Sequence, residues 1–191
     1  MNKTGILAMC ECAVLLALST VLRFVTVYRA PMGGNVTLLS MLPLLVAGVR
    51  CGFRRGVGTA FVYSLIQLCQ ALACGNVFTY CYTPSAVVIC VLFDYVLPFS
   101  ALGLTSLSRD RNGNARRITF LLLSAALVTF RFACHFITGV VIWSQWAPEG
   151  MSKYLYSLVY NGAYMLPELI LTLAGAAVIT ETAQFKRIMK K

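Results

Sequence analysis

The sequence has little charge. Only 12% of its 191 residues are charged, whereas soluble domains carry roughly 25%. Acidic residues are scarcest, six against sixteen Lys and Arg. With 59% hydrophobic residues and a mean hydropathy of +0.79, the apolar surface is too large for one small core, which excludes most soluble folds. Lipid must be the solvent for much of the chain.

The patterns that bind metals and nucleotides are also missing. The chain has one histidine and eight cysteines but no C-x-x-C pair, so we predict no metal and no other cofactor. It has no G-x-x-x-x-G-K-[ST] phosphate loop, so any use of ATP requires a partner protein. The cysteines lie in apolar runs and are expected to be free buried thiols. Cys74 and Cys81 flank a short loop and could form a disulfide.

Six apolar stretches predict membrane-spanning helices. They lie at about 5–27, 36–50, 56–75, 86–107, 117–145 and 156–180. The second is short and contains Pro43, which favours a kink or a tilt. No strands are expected, because an open sheet edge is unsuited to lipid and no ten-residue alternating segments occur. The predicted fold is all-α, a single six-helix polytopic membrane domain covering residues 1–191.

The basic residues are distributed unevenly between the loops. Twelve of the sixteen lie at the two ends of the chain and in two alternate loops, whereas the other loops hold only Arg29 and Lys153. The positive-inside rule then predicts that both termini are cytoplasmic. The basic excess is an orientation signal, and no nucleic acid partner is predicted. The twelve residues are Lys3, Arg50, Arg54, Arg55, Arg109, Arg111, Arg116, Arg117, Lys186, Arg187, Lys190 and Lys191.

Among the polar residues inside predicted spans, Asp94, His135 and Asn161 share the outer half of the bilayer. Such residues are candidates for function because their burial in lipid costs several kcal/mol. The helical rise places them at depths of roughly 12, 15 and 8 Å from the outer side. His135, Gly139 and Trp143 recur every four residues and therefore share a helix face. This face predicts a slot for a flat heterocycle; alternatively, Gly139 permits helix packing, Trp143 anchors the interface and His135 belongs to the core.

A lone buried carboxylate at Asp94 favours a cationic, nitrogen-rich ligand, since its charge needs compensation. Tyr95, Trp143 and Tyr156 can supply ring faces that attract cations. If Asp94 instead pairs with Arg131, this selectivity is lost.

Arg131 has a second candidate partner. By residue count it lies one turn deeper than His135, close to the depth of Glu168. We therefore predict a structural ion pair between Arg131 and Glu168.

Small residues recur four apart on the first helix, at Ala13 and Ala17. Small residues at this spacing allow close approach of another helix. The partner is either a helix of the same chain or another membrane protein.

An intramembrane hydrolase is an alternative from another functional class. It would use Cys134 or Ser157 as nucleophile with His135 and Asp94. Adjacent helical positions point about 100° apart, so Cys134 is poorly placed for activation by His135.

Several segments together show the pattern of a known family. They are residues 33–38 (GGNVTL), Asp94-Tyr95, residues 132–143 (FACHFITGVVIW), residues 147–152 (APEGMS) and Asn161-Gly162. Over nearly its whole length the chain resembles the thiamine-specific S component, the substrate-binding membrane subunit of energy-coupling factor transporters.

The resemblance implies a six-helix protein of the prokaryotic cell membrane that binds thiamine from outside. It implies no enzymatic activity, but docking onto a transmembrane energy-coupling subunit with two ATPase subunits. By matching position, the docking motif falls on Ala13 and Ala17. The family's ligand-binding residues fall on Asp94, Tyr95, His135, Gly139, Trp143, Tyr156 and Asn161.

The chain departs from the family at two positions. Asp94 stands where glutamate is common, which shortens the reach of the carboxylate by one methylene. Gly34 stands where some members carry an aromatic residue over the thiazolium ring, so Phe78, Tyr80 or Tyr82 is expected to cover the ligand instead. A related pyrimidine or vitamin precursor is the alternative ligand.

Overall fold

The computed structural model describes residues 3–30, 34–75, 77–110 and 112–189. Five helices in these ranges are long and apolar enough to cross a membrane, which confirms a helical membrane protein. The elements in chain order are α1 Lys3–Phe24, β1 Thr26–Arg29, β2 Asn35–Thr37, α2 Leu42–Cys51, α3 Phe53–Gly75, α4 Pro84–Ser108, α5 Arg117–Val141, α6 Lys153–Glu181 and α7 Ala183–Met189. Short 3₁₀ turns occur at Val77–Tyr80 and Trp143–Trp146.

The second predicted span is wrong in its limits. α2 begins at Leu42 and has ten residues, or about 15 Å at the helical rise, half of a hydrocarbon core about 30 Å thick. Seven of these ten residues are buried, so α2 lies inside the bundle and not against lipid. Of the six predicted spans, five correspond in the described residues to helices of membrane-spanning length, and the second corresponds to a short buried helix.

A β-hairpin occupies residues that were expected to be helical or looped, and the prediction of no strands is wrong. α1 ends at Phe24, and β1 pairs antiparallel with β2, with Tyr28 opposite Val36. Thr and Val residues dominate both strands, and such β-branched side chains favour extended backbone. The N–H of Ala30 donates to the carbonyl of Gly34 at 2.6 Å, which continues the pairing towards the turn.

Three glycines, near the end of α2, the start of α3 and the end of α4, bring these helices into backbone contact. A Cβ at Gly56 would lie 2.5 Å from the Cα of Gly48, and one at Gly103 would lie 2.5 Å from the carbonyl carbon of Gly56. Thr105 adds a hydrogen bond from its hydroxyl to the carbonyl of Leu45 at 2.6 Å. This junction fixes α4, which carries the Asp94-Tyr95 pair, against α2 and α3.

Several basic segments meet at one end of the bundle. Arg50 forms an ion pair with Glu11 at 2.8 Å, and Arg109 donates to the carbonyl of Arg50 at 3.1 Å. At the same end Arg117 pairs with Glu181. Arg111, Lys190 and Lys191 lie outside the described residues. The assignment of this end to the cytoplasm, like the single-domain assignment, stays a prediction.

The glycine junction can be tested with two neighbouring glycines of α3. We expect Gly56→Ala to lower the thermal stability of the detergent-solubilised protein, because overpacking against backbone typically costs about 1–3 kcal/mol. Gly58→Ala is the matched control, since nothing lies within 4 Å of its Cβ position. Thermal unfolding scans of both variants measure the difference, and equal stability would contradict the junction.

Candidate functional site

A cavity of about 530 Å³ opens at the end of the bundle opposite the basic segments. This volume lies within the range of small-molecule sites, roughly 300–1,000 Å³. Its walls come from the end of α1, the hairpin, α3, α4, α5 and α6. Of the predicted ligand-binding residues, five line it: Asp94, Tyr95, His135, Trp143 and Asn161.

The carboxylate of Asp94 is the acceptor on which three side chains converge. Its Oδ1 lies 2.9 Å from Nδ1 of His135 and accepts from the hydroxyl of Thr138. Its Oδ2 accepts from the indole Nε1 of Trp143 at 3.3 Å. In the described part of the chain no Lys or Arg forms an ion pair with Asp94. The alternative in which Arg131 pairs with Asp94 is therefore wrong.

Asp94 occupies an irregular stretch of α4. The helix begins after Thr83, whose side chain accepts from the N–H of Ala86 at 3.2 Å. It becomes a π-helix over Cys90–Val96, with the N–H of Leu97 donating to the carbonyl of Leu92, five residues back. Such wide turns inside helices are frequent at functional sites. Here the wide turn contains both Asp94 and Tyr95.

Trp143 reaches Asp94 from beyond the end of α5. The fifth helix was expected to continue to residue 145, but it ends at Val141, and Trp143 begins the 3₁₀ turn that ends at Trp146. The predicted common helix face of His135, Gly139 and Trp143 is therefore wrong for Trp143. The turn nevertheless brings the indole Nε1 of Trp143 to the carboxylate of Asp94. Within the turn, the Trp143 ring centroid lies 5.7 Å from that of Trp146.

Of the three residues expected to cover the ligand, Tyr80 alone lines the cavity. Its ring lies 5.6 Å from that of Trp143, whereas Tyr82 is 76% exposed. A Cβ at Gly34 would lie 2.5 Å from the ring of Tyr164. In this chain, therefore, the ring of Tyr164 excludes even a small side chain at that position.

Asn161 connects α6 to α5. Its Nδ2 donates to the carbonyl of His135 at 3.1 Å and to that of Ser157 at 3.0 Å, and its Oδ1 accepts from the hydroxyl of Tyr164 at 2.6 Å. A Cβ at Gly139 would lie 2.6 Å from the same Nδ2. Gly139 thus permits close packing of α5 against α6, and it does not line the cavity.

The tyrosines near the site divide into lining and supporting residues. Tyr95 lines the cavity and packs in an apolar cluster with Trp143. Tyr156 does not line it but stacks on Tyr160, with centroids 5.8 Å apart and an interplanar angle of 17°. Tyr160 does line the cavity, and the sequence analysis missed it. The signal was present, since Tyr160 follows Tyr156 by one helical turn.

The predicted Arg131–Glu168 ion pair is wrong. Glu168 instead accepts hydrogen bonds from the N–H and the hydroxyl of Thr37, at 2.6 and 2.7 Å, which hold the hairpin against α6. Arg131 donates from Nε to Nε2 of His135 at 3.2 Å and lies over the ring of Phe99, 4.4 Å from its centroid. The four-residue spacing of Arg131 and His135 was the signal for this contact.

A second polar group lines the cavity at the end of α1. Arg23 donates from Nε to Oε1 of Gln67 at 2.9 Å, and both residues line the cavity. Gln67 was not predicted from the sequence, because glutamines in an apolar helix, here Gln67 and Gln70, do not reveal which side chains they face.

The nucleophiles of the hydrolase alternative are not placed for catalysis. Ser157 donates its hydroxyl to the carbonyl of Phe136 at 2.7 Å, and Cys134 is 2% exposed. Neither lines the cavity. The described site therefore lacks the nucleophile–base hydrogen bond that such catalysis needs.

Cys74 and Cys81, which could have paired, are both free thiols. Burial raises the pKa of the Cys81 thiol, which favours the unreactive protonated form.

Comparison with known proteins places this geometry in context. A curated relative, thiamine transporter ThiT of Bacillus subtilis (strain 168), is 27% identical over 183 residues, covering 91% of this chain and 90% of the relative. Thiamine transporter ThiT of Lacticaseibacillus paracasei is 25% identical over 152 residues, covering 75% and 72%. The structure of ThiT from Listeria monocytogenes has a similar fold, with a TM-score of 0.73 at 20% identity and coverage of 98% of this chain and 99% of that one.

The family model described as thiamine transporter protein (Thia_YuaJ) matches residues 9–187, nearly the whole chain. The match includes α1 from residue 9, the hairpin and every residue of the cavity discussed above. The protein therefore belongs to the thiamine transporter family.

Proposed function

We propose that this protein is the thiamine-binding subunit of a vitamin transporter in a prokaryotic cell membrane. It captures thiamine from outside in the cavity beneath the hairpin and delivers it together with an ATP-driven energy-coupling module. Membership of the thiamine transporter family and the names of the curated relatives support the ligand. The absence of a phosphate loop from the sequence supports a separate source of ATP hydrolysis.

One observation carries the proposal. Asp94 is a largely buried carboxylate, 9% exposed, whose partners are an imidazole, a hydroxyl and an indole and include no Lys or Arg among the described residues. Hydrogen bonds hold a carboxylate in place without cancelling its charge, and an uncompensated buried charge is costly. A cation entering the cavity supplies the compensation, and the thiazolium ring of thiamine is such a cation.

The aromatic walls suit the rest of the ligand. Trp143, Tyr80, Tyr95 and Tyr160 all line the cavity, and ring faces both stack on flat heterocycles and attract cations. His135 and Asn161 complete the proposed binding set. In this proposal Gly139 and Tyr156 act indirectly, because they position Asn161 and Tyr160.

We propose that the coupling module docks on α1. Ala13 and Ala17 are both exposed on this helix, so this surface is not used for packing within the chain. Small residues four apart allow a second helix to approach closely in lipid. The transmembrane energy-coupling subunit, with its two ATPase subunits, is the proposed partner.

The charge of Asp94 is tested by Asp94→Asn. We expect the affinity for thiamine to fall by about 30-fold or more, because removal of one partner of a buried charge pair costs about 2 kcal/mol or more. Titration of the detergent-solubilised protein with thiamine, followed by tryptophan fluorescence, measures the affinity. The same titration with the isolated aminopyrimidine half tests the alternative ligand.

Asp110→Asn is the control for this experiment. Asp110 accepts backbone hydrogen bonds from Asn112 and Asn114 in a loop at the basic end, far from the cavity. Its replacement should leave the affinity unchanged. Undiminished binding in Asp94→Asn, or no saturable binding by the unaltered protein, would refute the proposed function.

Docking on α1 is tested by Ala13→Trp and Ala17→Trp. We expect both variants to bind thiamine normally but to lose co-purification with the coupling subunits, because an indole prevents close helix approach. Leu122→Trp on α5 is the control, since it places the same bulk at a side chain that is 67% exposed on another helix. Retained co-purification and uptake in both α1 variants would show that α1 is not the contact.

A further inference from the structure

The single histidine of the chain lies between a cation and an anion. Nε of Arg131 donates to Nε2 of His135 at 3.2 Å, while Nδ1 of His135 lies 2.9 Å from Oδ1 of Asp94. Arg131 and His135 are one turn apart on α5, and Asp94 faces them from α4. The three side chains form a continuous chain of hydrogen bonds along one wall of the cavity.

The chemistry of these groups determines where the imidazole proton lies. Guanidinium carries only donors, so Nε2 of His135 must accept and cannot carry a proton. The carboxylate of Asp94 is an acceptor, so Nδ1 must carry the proton and donate it. The hydrogen bond made by one ring nitrogen thus sets the state of the other. The imidazole is neutral in this arrangement.

We propose that Arg131 is a positioning residue that holds His135 as the neutral Nδ1–H tautomer, so that the charge of Asp94 remains available to a cationic ligand. The effect on ligand binding rests on the proposed function, whereas the tautomer of His135 does not depend on it. An imidazolium at this position would form an ion pair with Asp94 and place a second positive charge beside the bound cation.

The other groups around His135 do not hydrogen-bond its Nε2 and so do not fix its tautomer. Tyr164 on α6 contacts the imidazole ring edge to face, with centroids 6.2 Å apart, and its hydroxyl donates to Asn161. Glu168 on α6 lines the same cavity but accepts from Thr37. Tyr95 on α4 also lines the cavity. None of the hydrogen bonds of these side chains occupies Nε2 of His135.

The position of Arg131 is itself fixed by packing. Its guanidinium lies over the ring of Phe99, 4.4 Å from the centroid, and Nη1 lies 2.9 Å from the sulfur of Met41. Neither contact brings a negative charge to Arg131, and Glu168 attracts it through space without forming an ion pair. The charge of Arg131 opposes a second cation on the adjacent imidazole. Replacement of Arg131 would free Nε2 to take a proton from water in the cavity.

The tautomer can be observed directly, without any ligand. Because the chain has one histidine, ¹⁵N NMR of protein labelled at histidine, with a histidine-free purification tag, reports on His135 alone. We expect a protonated Nδ1 and an unprotonated Nε2 throughout the range from about pH 6 to pH 8. A protonated Nε2, in either the opposite tautomer or the imidazolium, would overturn the proposal.

The consequence for binding is tested with Arg131→Met. Loss of the Arg131 donor leaves Nε2 of His135 able to take up a proton as the pH falls, and an imidazolium beside Asp94 would compete with a cationic ligand. We therefore expect Arg131→Met to bind thiamine several-fold more weakly at pH 6 than at pH 8. The unaltered protein should show no such dependence. Arg131→Lys, which keeps a cationic donor, should restore the flat profile.

A double variant separates this role from a purely structural one. Arg131→Met combined with His135→Gln removes the titrating ring, so its affinity, although lower, should not depend on pH. If Arg131 only supports the fold, Arg131→Met will weaken binding equally at every pH, and the proposal is overturned. If the unaltered protein does not bind thiamine at all, the proposed function fails, while the NMR result still decides the tautomer.

Discussion

The site depends on a carboxylate that is held without being neutralised. A buried charge costs several kcal/mol unless the surrounding groups compensate it. Hydrogen bonds with the side chains of His135, Thr138 and Trp143 fix the position of Asp94. In the proposed neutral state of His135, the net charge of the carboxylate stays unpaired. In the proposed function a cationic ligand supplies the missing compensation, so the selectivity for positive charge depends on the neutral partners of the carboxylate.

Most of the scaffold serves to bring these partners together. The glycine junction of Gly48, Gly56 and Gly103 sets the position of α4. Asp94 lies in the wide π-helical turn of that helix. Close packing at Gly139 lets α6 reach α5, where Asn161 donates to the backbone carbonyl of His135. The hairpin is in turn fastened to α6 through Glu168. Changes far from the cavity can therefore alter the geometry of the carboxylate.

Sequence reasoning predicted those features that depend on composition and on simple spacing. The long helices follow from apolar length, and Asp94, His135 and Trp143 stood out as polar or aromatic groups in apolar runs. The hairpin was missed because its strands are four and three residues long, too short to show alternation. The Arg131–Glu168 pair was inferred from depth alone, which cannot determine the direction in which a side chain points. Gln67 was missed because tertiary packing, not local pattern, brings it to the cavity, whereas for Tyr160 the four-residue spacing from Tyr156 was a usable signal.

The central claim is that Asp94 recognises positive charge, and a double-substitution cycle on protein and ligand tests it most directly. Isothermal titration would compare thiamine with its uncharged thiophene analogue, in the unaltered protein and in Asp94→Asn. The account predicts that the unaltered protein prefers the cation and that Asp94→Asn reduces this preference by about tenfold or more, a coupling of roughly 1.4 kcal/mol. The same preference in both proteins would contradict it.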